Sequence, residues 1–143
     1  MVRTMTWNEV LVDVKARYDV RQVRADSISL RWNGAGTERV GPQKLVLIDA
    51  WLGRLRWLTI FALVGPEGCW AYRDVLVANG SRLIGDVVLK EDSYLLRISA
   101  VLDTLAASVL AELIDRIAGS STELRARLVP PRVDLDFYRW IED

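Results

Sequence analysis

The chain has 143 residues, 51% of them apolar, and its 19 basic and 19 acidic side chains leave no net charge. That is the size of one domain with a sizeable core, and the balance excludes a protein whose main task is neutralising nucleic-acid phosphates. A single cysteine, Cys69, excludes an internal disulfide or a cysteine metal cluster, and the absence of histidine excludes imidazole sites and histidine-activated nucleophiles.

The N-terminus, MVRTMTWNEVL, lacks an apolar signal core and leads directly into a helix. Thr6 and Glu9 have the spacing of a capping box, and Trp7, Val10, Leu11, Val14 and Tyr18 repeat at helical intervals, predicting a helix over about 7–18. Ile28, Leu30 and Trp32 alternate with Ser27, Ser29 and Arg31, the pattern of a half-buried strand. Asn33-Gly34-Ala35-Gly36 reads as a hairpin turn, lacking the Lys and following helix of a phosphate loop. A second strand is expected from about Glu38 to Asp49, with Pro42 near its start, and a third, central one from Leu55 to Val64. That third run contains Arg56 and is too short to cross a bilayer, so a cytoplasmic protein without membrane insertion is expected.

Gly65-Pro66-Glu67-Gly68 stops the third strand. Residues 69–78 read as a short helix ended by Asn79-Gly80 as a left-handed cap, with a strand as the alternative by propensity. Asp86–Lys90 and Tyr94–Val101 form a hairpin around Glu91-Asp92-Ser93. The last helix begins near Thr104 with Val109, Leu110, Leu113, Ile114 and Ile117 as its buried stripe. Gly119-Ser120-Ser121 predicts a kink or a restart with Thr122 as cap, and Pro130-Pro131 ends the helix. The whole is read as one α+β domain, with a core over 5–129 and an aromatic tail over 130–143. Its sheet is about five-stranded and mainly antiparallel, with three helices in the order α-β-β-β-α-β-β-α.

This order, with DVLVAN ending the middle helix, then GDVVLKEDSYLLRIS, VLDTL and ASVLAELIDRIAGSSTELRARL, resembles the YbjN-type domain and the related type III secretion chaperone-like fold. Tyr94 opens the last strand and Arg97 stands before its close, as in similar sequences. The resemblance implies a small, homodimeric, non-enzymatic bacterial protein; the secretion chaperones hold an extended segment of a client. The chain departs from their acidic pattern in its balanced charge and its six tryptophans.

No residues point to catalysis, a cofactor or a metal. Glu91-Asp92 falls in the hairpin turn, where backbone geometry favours such residues, and Asp134 and Asp136 alternate with Val133, Leu135 and Phe137 as on an edge strand. Trp32 and Trp57 fit inward strand positions. Trp51, beside a turn, and Phe137, Tyr138 and Trp140 in the tail are the candidate partner-binding residues, because aromatics dominate binding hot spots. The expected function is a protein- or peptide-binding module, chaperone-like or regulatory, that captures a client segment on a sheet edge or in a helix-bounded groove. The alternative is a small-ligand protein or enzyme with a pocket between sheet and helices, where Asp49, Tyr72 and Arg97 would be the residues to test. Nucleic-acid binding, which is not expected, would require Arg21, Arg24, Arg31, Arg54 and Arg56 to share a face. The doubly apolar Leu45–Ile48 and Leu55–Val64 runs predict a homodimer, with the tail folding back over them as the competing cover.

Overall fold

The structure is a computed structural model that describes residues 5–81 and 85–128. Helix α1 (Trp7–Arg17) starts at Thr6, whose Oγ1 accepts the Glu9 backbone N–H at 3.2 Å while its hydroxyl donates to the Glu9 carboxylate. Trp7, Val10 and Val14 form its buried stripe. Strand β1 (Asp19–Val23) follows at once and was not legible as a strand. Its register shifts between Val20 and Gln22, so Val20 opposes Leu30 and Val23 opposes Ile28. A bulge thus puts two valines three residues apart on one face, and the two-residue period of a strand is lost from the sequence.

Strand β2 (Ser27–Trp32) has the expected bounds. The segment after it corrects the reading of a strand from Glu38: Thr37–Val40 is a single helical turn, α2, between Gly36 at φ 92° and Gly41 at φ 85°. Two glycines at positive φ, a conformation that side chains disfavour, turn the chain away from a strand path on either side of these four residues. Strand β3 (Gln43–Leu52) therefore begins only after Pro42. Gly53 at φ 63° is the first of two loop residues joining β3 to β4 (Leu55–Pro66), the position at which a tight hairpin needs a glycine.

A 3₁₀ turn (Glu67–Cys69) leads to α3 (Tyr72–Ser81), a helix as expected but without the left-handed cap at Asn79-Gly80, since both lie inside it. Strands β5 (Asp86–Lys90) and β6 (Ser93–Val101) are joined through Glu91 and Asp92, both at positive φ. After a second 3₁₀ turn (Leu102–Thr104), α4 runs unbroken over Ala107–Leu128, correcting the expected kink or restart. Ser121 and Thr122 cap nothing; their hydroxyls donate back to the Ala118 carbonyl within the helix. Val109 is exposed rather than part of the stripe, which is Leu110, Ile114, Ile117, Ala118 and Leu124. Pro130-Pro131 and the tail lie outside the described residues.

Among the described residues, the antiparallel sheet expected from the sequence has six strands, β1 being the addition to the five that could be read, in the order β1-β2-β3-β4-β6-β5 with every pair antiparallel. β4 is central, as its two apolar faces required. One face, with Ile28, Leu30, Leu45, Leu47, Leu58, Ile60, Ala62 and Leu96, packs against α1, α3 and α4 in the main core. The other carries a smaller cluster of Val46, Phe61, Leu63 and Leu95. Arg125 of α4, almost wholly buried, ties the helix to the start of β3. It donates to Gln43 Oε1 at 2.9 Å and to the carbonyls of Val40 and Gly41, while Gln43 Nε2 donates to the Leu63 carbonyl at 2.6 Å.

Candidate partner-binding site

Large apolar side chains are exposed at the tip of the β3–β4 hairpin. Trp51, Leu52 and Leu55 are 65%, 72% and 46% exposed. Register places Asp49, Trp51 and Arg56 on one face, with Trp51 opposite Arg56. The Arg56 guanidinium donates to both oxygens of Asp49, at 2.7 and 2.5 Å, and lies 5.5 Å from the centre of the Trp51 ring. The Asp49 hydrogen bond, aided by the nearby Asp103 charge, raises the Arg56 pKa further above its usual value. The indole therefore stands on a fixed cation instead of swinging freely in water.

The tip is linked to a groove by the 102–105 turn. Asp103 is near enough to act on Arg56, and the Leu105 carbonyl accepts the Met5 N–H at 3.1 Å. Met5, Asn8, Glu9, Val12, Asp13, Ala16 and Ala107 line this groove, of about 560 Å³, between α1 and the start of α4. Val12 is 71% exposed in it. The stripe of Val10 and Val14 faces the core, so an apolar residue midway between them points elsewhere; that off-stripe position is the signal missed in the sequence.

The sheet edges offer less. On β5, the Asn79 side chain from α3 accepts the Val87 N–H at 2.6 Å and donates to the Val87 carbonyl at 3.0 Å, occupying the outer hydrogen-bonding positions of that residue. On β1 the edge is short, bulged and carries the Asp19–Arg21 ion pair at 2.9 Å. Both are devices that discourage strand addition.

Of the candidate residues read from the sequence, Trp51 is at the exposed tip; Phe137, Tyr138 and Trp140 lie outside the described residues. Trp32 packs at the core edge, its Nε1 donating to Asp115, whereas Trp57 falls in register with Ala50 and Val101, on the face away from the helices. Asp49, Tyr72 and Arg97 do not converge on a pocket: Asp49 holds Arg56, Tyr72 donates to Glu67, and Arg97 pairs with Asp86 at 2.7 Å. Cys69 is partly buried, which raises its thiol pKa and disfavours a reactive thiolate. Among the described residues no group of three His, Cys, Asp or Glu could hold a metal ion, and no helix is long and apolar enough to cross a membrane.

No family model and no curated protein matches the sequence. Among solved structures, the chain is similar to a chain of the HopA1-SchA chaperone-effector complex, with a TM-score of 0.52 and 15% identity, over 68% of this chain and 74% of that one. At that identity the likeness speaks for the fold. The six-stranded antiparallel sheet with three main helices and one short helix is a type III secretion chaperone-like fold.

Proposed function

We propose that the chain is a non-enzymatic, cytoplasmic protein-binding module, chaperone-like or regulatory, that holds an extended apolar segment of a client protein. The segment lies in the groove between α1 and α4, with the β3–β4 tip as a second contact. One observation carries this reading: exposed Trp51, Leu52 and Leu55 stand on a braced hairpin that the 102–105 turn joins to an apolar groove. Rigid aromatic anchors beside a groove give affinity at small entropic expense. The fold, shared with a chain of a chaperone–effector complex, supports a polypeptide as the ligand. The protected edges favour the groove over strand addition.

The working unit is a homodimer. The Leu45–Ile48 and Leu55–Val64 runs that suggested one are largely buried within the single chain, and exposed apolar surface instead lies on α3, with Leu76 72% and Val77 67% exposed. A self-complementary patch there would bring two copies of α3 together.

Affinity capture of the intact protein from its native cells is expected to recover one specific client, and Val12→Asp with Trp51→Ala to release it while the fold persists. Robust turnover of a small molecule with no recovered protein would overturn the reading.

A further inference from the structure

Asp115 is held differently from the ion-paired acids of this chain. Its Oδ1 accepts the Tyr18 hydroxyl at 3.0 Å and the Trp32 Nε1–H at 3.1 Å, donors from the residue after α1 and from β2. Among the described residues it forms no ion pair, whereas Asp13, Asp19, Asp49, Asp86 and Glu112 each hold an arginine. Trp32 is fixed as well: a Cβ on Gly34 would stand 2.0 Å from Cζ2 of the indole, so the glycine backbone lies directly against the ring. Both donors are neutral, and burial together with this hydrogen bond keeps the Tyr18 phenol protonated well above the ordinary 10.0. The charge of Asp115 is therefore positioned without being compensated, and its Oδ2 accepts no hydrogen bond from the described residues.

That carboxylate lines a concavity of about 630 Å³ between α2 and α4, with Trp32, Gly36, Arg39, Gly119 and Glu123. The cations there do not neutralise it: Arg116 pairs with Glu112 at 2.9 Å, and Arg39 forms no ion pair among the described residues. The concavity continues the client groove along one row of α4. Ala107 lines the groove, and Ala111, Asp115, Gly119 and Glu123 follow at four-residue steps, with the Tyr18 hydroxyl at the junction, 3.3 Å from the Ala111 carbonyl. From Ala107 to Asp115 the helix advances about 12 Å, a span that about four residues of an extended segment cover. The small residues of this row leave room for a backbone to lie close, and a Cβ on Gly119 would meet nothing within 4 Å.

We propose that Asp115 and Trp32 form a subsite for one basic side chain of the client segment, about four residues beyond the part seated between α1 and α4. Its cation binds the Asp115 carboxylate, and its apolar stem lies against the indole. An arginine or lysine there meets a charge already held in place, so little ordering remains to be done on binding. This subsite rests on the reading of the groove between α1 and α4 as the client site, and it adds a charge requirement to that groove's apolar preference.

The test uses a fluorescein-labelled octapeptide, alternating Val and Leu followed by Ser-Gly-Ser-Arg, and its twin with neutral citrulline in place of arginine. Affinity for the full chain is measured by fluorescence anisotropy, and contacts by NMR shifts of the ¹⁵N-labelled protein. The arginine peptide is expected to bind about tenfold more tightly and to move the Trp32 Nε1–H and Gly119 amide signals. Asp115→Asn keeps an acceptor oxygen for Tyr18 and Trp32 but loses the charge. It should abolish the difference and leave the affinity of the citrulline peptide unchanged. Equal affinity of the two peptides for the parent protein, or a preference that survives in Asp115→Asn, would overturn the subsite; shifts confined to Val12 and Ala16 would then leave the client groove standing. Binding by neither peptide would overturn the subsite as well, while recovery of a client from native cells would still uphold the groove.

Discussion

Asp49 and Arg56 form a two-point ion pair diagonally across the β3–β4 ladder, at 2.5 and 2.7 Å, and the same guanidinium supports the exposed ring of Trp51. The Asp49 side chain is only 7% exposed, so its carboxylate depends on this partner in place of water. Replacing Arg56 by Ala is expected to destabilise the protein by about 1–3 kcal/mol, because it leaves a nearly buried acceptor unmatched. Trp51→Ala removes an exposed ring and a solvent-facing cation–π contact and should cost less than about 1 kcal/mol of stability. Urea denaturation measures both; a larger loss for Trp51→Ala than for Arg56→Ala would contradict the bracing role.

Asn79 takes the place of a neighbouring strand for Val87. Its amide has both a donor and an acceptor, which is what one outward-facing strand residue presents. Asn79→Ala should cost about 1–2 kcal/mol and leave β5 open to pairing with other chains. Light scattering should then show slow, concentration-dependent growth that the parent protein lacks. Stability and scattering both unchanged would show that the edge needs no such plug.

Tyr18 donates to the Asp115 carboxylate at 3.0 Å, and burial followed by this hydrogen bond raises its pKa well above the ordinary 10.0. The neutral phenol is thus favoured in the folded chain. Above pH 10 the unfolded chain loses this proton first, so the contribution is complete below about pH 10 and declines as pH rises beyond it. Tyr18→Phe should lower stability at pH 8 and make the fall between pH 9 and 11 shallower, as followed by chemical denaturation at each pH. A parallel curve for the variant would mean that Tyr72 and Tyr94, also raised, carry the whole alkaline effect.

Leu76 and Val77 stand on the exposed side of α3, whose only buried apolar residue is Val75. Leu76→Glu with Val77→Glu should convert a dimer to a monomer without loss of helical signal, since neither side chain supports the core. Light scattering on the parent at high micromolar concentration decides the matter first: a monomer there ends the dimer proposal.

The amphipathic helix at Trp7–Arg17, the alternating strand Ser27–Trp32, the central position of β4 and the β5–β6 hairpin could all be read from the chain. Their information is local: side-chain period, a Thr cap, turn residues between apolar runs. β1 could not be read, because its bulge is defined only by pairing with β2, and α2 could not, because φ at Gly36 and Gly41 answers to the packing of Arg125 against Val40 and Gly41. The uninterrupted path of α4 through Gly119-Ser120-Ser121 is likewise a tertiary outcome, in which burial of Ala118, Ser121 and Thr122 against the sheet outweighs weak helix propensity. At the candidate site, Trp51 was visible as an aromatic beside a turn. Its brace was not: Asp49 and Arg56 are seven residues apart and meet only because the β3–β4 register sets them diagonally opposite, a relation that exists in the sheet and nowhere in the order of the residues.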